Sequence, residues 1–162
     1  MVATSDLGLR RKVASLRRQG RRVAVVYGDC GTGGEIDAFL KADKVDRIPG
    51  PHCYEMFMGP SEFGAEMERE LGTFFLTDYM VRHFERIVMQ GMGLRKHPQL
   101  RDMYFGNYTR ALYIAQTEGL QAKARAAAAE LGLAYEYRFT GFGGLPAWVA
   151  TSVSAGMPAK GD

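Results

Sequence analysis

Two cysteines in a chain of 162 residues are too few for a disulfide scaffold. No apolar run reaches the ~18 residues that a membrane-spanning helix needs, and no charged-then-apolar leader ending in small residues opens the chain. These absences predict a cytoplasmic protein with no membrane partner. Charge of one sign is also scarce. The net +3 is unevenly spread: residues 1–22 hold Arg10, Arg11, Lys12, Arg17, Arg18, Arg21 and Arg22 against Asp6, so the rest of the chain carries −3. A slightly acidic body lacks the broad basic surface of a nucleic-acid binder, and no nucleic-acid partner is expected. The basic segment reads as a solvated helix face that a protein partner could use.

What is present is enough apolar material, 46% of the residues, to enclose one core. A single domain over residues 1–150 is predicted, followed by a flexible tail over 151–162. Leu7, Leu9, Val13 and Leu16 recur at helical spacing and predict a helix over 6–19, ended by Gly20. The β-branched run Val23–Tyr27 predicts a strand buried on both faces. Ile36, Phe39 and Leu40 predict a short helix, and Val45–Ile48 a second strand. A charged helix over 61–70, a strand at Thr73–Leu76, a helix started by Thr77-Asp78 and a helix started by Pro98 follow. Ala111–Ala115 and Ala134–Phe139 are further strands, separated by a helix over 119–132 whose inner face is Leu120, Ala124, Ala127, Ala128 and Leu131, with Gly132 as its C-terminal cap.

Strands alternating with helices predict an α/β protein: a three-layer α/β/α domain, Rossmann-like, with a mostly parallel sheet of about five strands. Ligands bind such sheets at the rim where the strands end. The unusual polar segments all follow predicted strands, which would bring Asp29, Cys30, His52, Cys53, Glu55, Asp78 and the glycine turns to one rim.

The turn Asp29-Cys30-Gly31-Thr32-Gly33-Gly34 lacks the Gly-Lys-Ser/Thr ending of a phosphate loop, and Asp29 and Glu35 would repel a phosphate, so no nucleotide is predicted. Gly31, Gly33 and Gly34 are instead candidates to admit a small polar substrate. The sharper feature is Cys30 with His52-Cys53-x-Glu55, two thiols and an imidazole on neighbouring loops. Thiolate and imidazole are the ligands zinc prefers, so Cys30, Cys53, His52 and Asp29 are the candidate ligands of a divalent metal, zinc. Glu55 and Asp78 are the candidate catalytic carboxylates. Two other readings stand beside the metal: a reactive thiol whose pKa is lowered at a helix start, and a pair of buried cysteines serving as small apolar residues. His83 and His97 read as core-edge and turn residues, and the methionines as core filler.

Four segments occur in order: Tyr27-Gly28-Asp29-Cys30-Gly31, Gly50-Pro51-His52-Cys53-Tyr54-Glu55, Gly72-Thr73-Phe74-Phe75-Leu76-Thr77-Asp78 and Asn107-Tyr108-Thr109-Arg110. In these the chain, from about residue 20 to about residue 145, resembles the uncharacterised domain-of-unknown-function family 1638. The resemblance implies a context beside corrinoid-dependent methyltransferases, corrinoid carriers and their reactivating proteins, where zinc held by cysteine and histidine activates a thiol acceptor. It thereby implies a methyltransferase or corrinoid-protein partner. The chain has no Asp-x-His-x-x-Gly signature, so no directly bound corrinoid is expected. Longer family members begin with a further strand and an Ala-Cys-Gly segment, and a sheet lacking that strand would expose an edge and favour a homo-oligomer.

Overall fold

In the computed structural model the described residues are 4–28, 33–50 and 52–154. Their elements run α1 (Thr4–Arg18), β1 (Ala24–Val25), α2 (Glu35–Ala42), β2 (Asp46–Arg47), α3 (Cys53–Met58), α4 (Pro60–Arg69), β3 (Thr73–Thr77), α5 (Asp78–Arg82), a π-helical turn over Glu85–Gln90, α6 (Leu100–Phe105), β4 (Arg110–Ala115), α7 (Gln121–Leu131), β5 (Ala134–Phe139) and α8 (Leu145–Ser154). They fall into two compact units, Met1–Met56 with Gly144–Asp162, and Phe57–Gly143. Among the described residues no helix is long and apolar enough to cross a membrane.

The first unit closes around Val13 of α1, Val25 of β1, Ile36, Phe39 and Leu40 of α2, and Val45. The basic helix is therefore anchored by its apolar stripe. Gly20, at φ +69, ends it with its N–H donating to the Arg17 carbonyl at 2.9 Å. β1 and β2 pair in parallel, Ala24 with Asp46 and Val25 with Arg47. The pairing is shorter than the predicted strands. Val25 is buried, whereas Val26 is 47% exposed, so this strand packs one face and not two.

The second unit is a three-stranded parallel sheet in the order β3-β4-β5. β4 is central and buried along its whole length, as expected for a strand covered on both faces. The apolar stripe of α7 packs as its spacing predicts: Ala124, Ala127, Ala128 and Leu131 are all buried, and Gly132 caps the helix at φ +76. Val88 and Met89, adjacent in sequence, are both buried in the π-helical turn, whose wider spacing turns neighbouring side chains to the core.

The described fold is thus mixed α/β with parallel pairing throughout, in ladders of two and three strands where the sequence predicts about five strands in one sheet. The helix Leu145–Ser154 has no counterpart among the predicted elements.

Candidate functional site

β1 and β2 run in parallel, so the segments leaving them emerge at the same end of this small sheet. Arg47 holds that end together. Its guanidinium donates to the Tyr27 carbonyl at 2.8 Å and to the Gly50 carbonyl at 2.9 Å, while also pairing with Asp37 of α2 through Oδ2 at 2.9 Å. The side chain is only 11% exposed. Shielded from water, such a charge-assisted fork fixes both exit points more firmly than a surface contact would.

Beyond Tyr27 the chain passes against α3. A Cβ placed on Gly28 would lie 2.6 Å from the backbone nitrogen of Cys53 and 3.2 Å from its Cβ, so this contact admits glycine and no larger residue without movement. Gly50, at φ +107, makes a similar contact with Glu55, whose Oε2 would lie 3.3 Å from an added Cβ. Two glycines thus let the post-strand segments close onto the turn carrying His52, Cys53 and Glu55, all half-buried. The His52 ring sits 6.4 Å from that of Tyr54, and the Glu55 N–H donates to the His52 carbonyl at 3.2 Å.

Asp29, Cys30 and Gly31 lie outside the described residues. Among the described residues no three His, Cys, Asp or Glu side chains converge as a metal-binding group. Gly33 and Gly34 are both in left-handed conformation, at φ +62 and +86, and lead into α2, whose first turn carries Glu35 and Asp37. A cavity of about 480 Å³ is bordered by Asp37, Lys41, Lys44 and Arg47, and among the described residues its lining has no thiol or imidazole.

Asp78 belongs to the second unit. Oδ1 accepts from the Tyr113 hydroxyl at 2.7 Å and the Gln116 N–H at 3.0 Å; Oδ2 accepts from the Thr117 N–H at 2.9 Å and from its hydroxyl. Gln116 returns the contact, its side-chain oxygen accepting from the Asp78 N–H at 2.9 Å. Burial by itself would raise the Asp78 pKa, but the hydrogen bonds from Thr117, Tyr113 and the two backbone amides outweigh it and hold the carboxyl below its ordinary 3.8. The Tyr113 hydroxyl is pushed upward, by burial first and then by donating to Asp78. Engaged on both oxygens, Asp78 ties the exits of β3 and β4 together. Thr77 caps α5, as its position predicts, accepting from the Met80 N–H at 3.4 Å.

A family model described as a protein of unknown function (DUF1638) matches residues 6–147. The chain belongs to the DUF1638 family. No curated protein and no solved structure matches it.

The third and fourth DUF1638 segments named from the sequence lie side by side on β3 and β4, with Thr73 paired to Arg110. Before the strands begin, the Gly72 carbonyl accepts from the Thr109 N–H at 2.8 Å, and a Cβ on Gly72 would sit 2.8 Å from the Asn107 carbonyl oxygen. Arg110, 4% exposed, anchors an ion network that sequence reasoning did not predict. It donates to Glu66 at 2.8 Å, to Glu136 at 2.6 Å and to the Thr73 hydroxyl at 2.8 Å. Glu66 also accepts from Arg69 and, at 2.7 Å, from Arg138. Arg110 lies far in sequence from Glu66 and Glu136, and the available signal was an arginine at the mouth of an otherwise apolar strand. The buried Arg110 and Glu66 require one another, and the network welds α4 across the sheet.

Proposed function

We propose that this DUF1638 protein binds a divalent metal, zinc, through Cys30 and Cys53, with His52 or a carboxylate of Asp29 or Glu55 completing the shell. Its role in this reading is accessory or catalytic in corrinoid-linked one-carbon methyl-group metabolism. The observation that carries the metal reading is the close approach of Gly28 to Cys53. Cys30 follows Gly28 by two residues, and two residues of chain reach at most ~7 Å. The donor set suits the ion, since thiolate and imidazole are what zinc prefers. Arg47 supports it by pinning both exit segments, as the outer groups around a metal site commonly do.

Zinc bound by these residues would supply Lewis acidity that lowers the pKa of a thiol or water. His52 or Glu55 would accept the proton, and Gly31, Gly33 and Gly34 are the residues this reading assigns to a small polar substrate. Asp78, the other candidate catalytic carboxylate, belongs to the second unit, where its oxygens accept from Tyr113, Gln116 and Thr117, and no role at the metal is assigned to it. The methyl-transfer context and a methyltransferase or corrinoid-protein partner rest on the family resemblance. A Rossmann-like sheet also belongs to this reading; the pairings within each unit are parallel.

Metal analysis of protein purified without a metal-binding tag tests it. One equivalent of zinc per chain, lost in the Cys30→Ser, Cys53→Ser double variant, is expected. No stoichiometric metal, or the same content in the double variant, ends the reading.

A non-catalytic docking module is the second reading, favoured by the exposure of Arg11, Lys12, Arg18 and Arg21. Other basic residues of this segment are committed within the unit: Arg17 donates to the Asp43 carbonyl, Arg22 pairs with Asp46 at 3.6 Å, and Arg10 lies over the Phe39 ring at 4.3 Å. Charge reversal at Arg18 and Arg21 should abolish capture of a methyltransferase or corrinoid carrier if α1 is the docking face. Capture that survives the reversal removes it.

A further inference from the structure

We propose that β5 is the interface of a twofold homodimer, in which it pairs antiparallel with β5 of a second copy about an axis through Tyr137. The proposal does not rest on the metal reading.

β5 is an edge of its three-stranded sheet, and among the described residues no strand pairs with its outer side. The Ala134 N–H donates inward to the Thr109 carbonyl at 3.1 Å, and the Thr140 N–H to the Ala115 carbonyl at 3.0 Å. Since backbone groups alternate along a strand, the even-numbered residues bond to β4, and Tyr135, Tyr137 and Phe139 aim their N–H and C=O groups outward. The edge strand and its exit also carry exposed apolar side chains: Tyr137 is 40% exposed, Phe139 55% and Phe142, just past the strand, 49%. A long edge of this kind, with aromatic side chains and no proline, invites another strand.

The choice of a second copy follows from charge. In an antiparallel pair the outward-facing residues must face one another, so the twofold axis has to pass through a residue. An axis at Glu136 sets Glu136 against its own copy, and an axis at Arg138 does the same for Arg138, placing like charges directly opposite. An axis at Tyr137 sets Glu136 against Arg138 twice, Tyr135 against Phe139 twice, and Tyr137 against itself. Both charged side chains are 39% exposed while keeping their partners within the chain, Arg110 for Glu136 and Glu66 for Arg138. Centred on Tyr137, the strand is therefore self-complementary in charge, in aromatic pairing and in hydrogen-bond direction from Tyr135 to Phe139, and an isologous interface requires such a match.

Light scattering with size-exclusion chromatography tests this on the full chain. The wild type is expected at twice its 17.9 kDa, and Tyr137→Pro at the monomer mass with its circular dichroism retained. Proline removes only an outward-facing N–H there, which an edge strand tolerates. A wild type that stays monomeric up to its solubility limit overturns the proposal, as does a folded Tyr137→Pro that remains dimeric. Should that variant not fold, Tyr137→Cys and Phe139→Cys decide, with the wild type as control for its native thiols. Across the axis the Cα atoms of residue 137 would be ~5.5 Å apart, within disulfide range. Oxidation should cross-link Tyr137→Cys and leave Phe139→Cys at the control level; equal cross-linking of both, or of neither, contradicts the register. A monomer that retains zinc removes the interface alone, and a dimer without zinc removes the metal reading alone.

Discussion

Replacing Gly28 with alanine tests the contact on which the site depends. The added methyl would meet Cys53 at 2.6 Å from its nitrogen, 3.1 Å from its Cα and 3.2 Å from its Cβ. Two of these atoms are backbone at the start of α3, so no side-chain rotation can relieve the clash. Gly28 is not among the left-handed glycines, so the effect is steric and not conformational. Overpacking of this kind costs about 1–3 kcal/mol, which for a chain of this size lowers the unfolding midpoint by roughly 2–12 °C. If the proposed zinc site exists, its affinity should fall as well, because Cys53 would be displaced from the segment that leads to Cys30. The control is Gly64→Ala in α4, where a Cβ meets nothing within 4 Å. That change should stabilise by about 0.5–1 kcal/mol through lower backbone entropy. Thermal and urea unfolding followed by circular dichroism, with a competitive zinc titration, reads both. A Gly28→Ala protein as stable as wild type, binding zinc equally well, would refute the close packing of the post-β1 segment on α3.

Arg110→Met removes the buried cation from Glu66 and Glu136 but leaves them Arg69 and Arg138, so urea unfolding should show a loss below the ~3–5 kcal/mol of a fully uncompensated buried charge; a change below about 1 kcal/mol would mean the network is dispensable. Asp78→Asn probes pH dependence. The wild-type carboxyl titrates below its ordinary 3.8, so its contribution is complete above that pH and disappears as the pH falls through the folded value. The stability gap between wild type and Asp78→Asn should therefore be widest near neutrality and shrink in acid, and a gap independent of pH would contradict the hydrogen-bonded anion. Lys44 holds φ +51 where α2 ends, a left-handed conformation that suits glycine, so Lys44→Gly should raise stability by roughly 1 kcal/mol. An unfolding midpoint at or below wild type would count against that strain.

Local signals carried most of the second unit. β5 matches its predicted range, and α7 buries the predicted alanine face because helical spacing and a glycine stop agree there. β1 is another matter. Val23–Tyr27 has the composition of a core strand, yet the last backbone link of the ladder is the Ile48 N–H to the Val25 carbonyl, and the Tyr27 carbonyl is taken by Arg47 instead. Composition does not reveal that a side chain will replace a ladder partner. The candidate site was legible as residue types, since His52, Cys53 and Glu55 do share one turn. What positions them was not: Arg47 acts through carbonyls 20 residues before it and 3 residues after it, contacts with no periodic signature. Arg110 and Glu66 are 44 residues apart for the same reason, joined by the sheet and not by any local pattern.

Zinc K-edge absorption on the tag-free protein addresses the central claim most directly. Sulfur scatterers near 2.3 Å together with nitrogen or oxygen near 2.0–2.1 Å are the expected shell for Cys30, Cys53 and His52 or a carboxylate, and the sulfur shell should vanish in the Cys30→Ser, Cys53→Ser protein. A shell of nitrogen and oxygen alone, or zinc at background level, would contradict it.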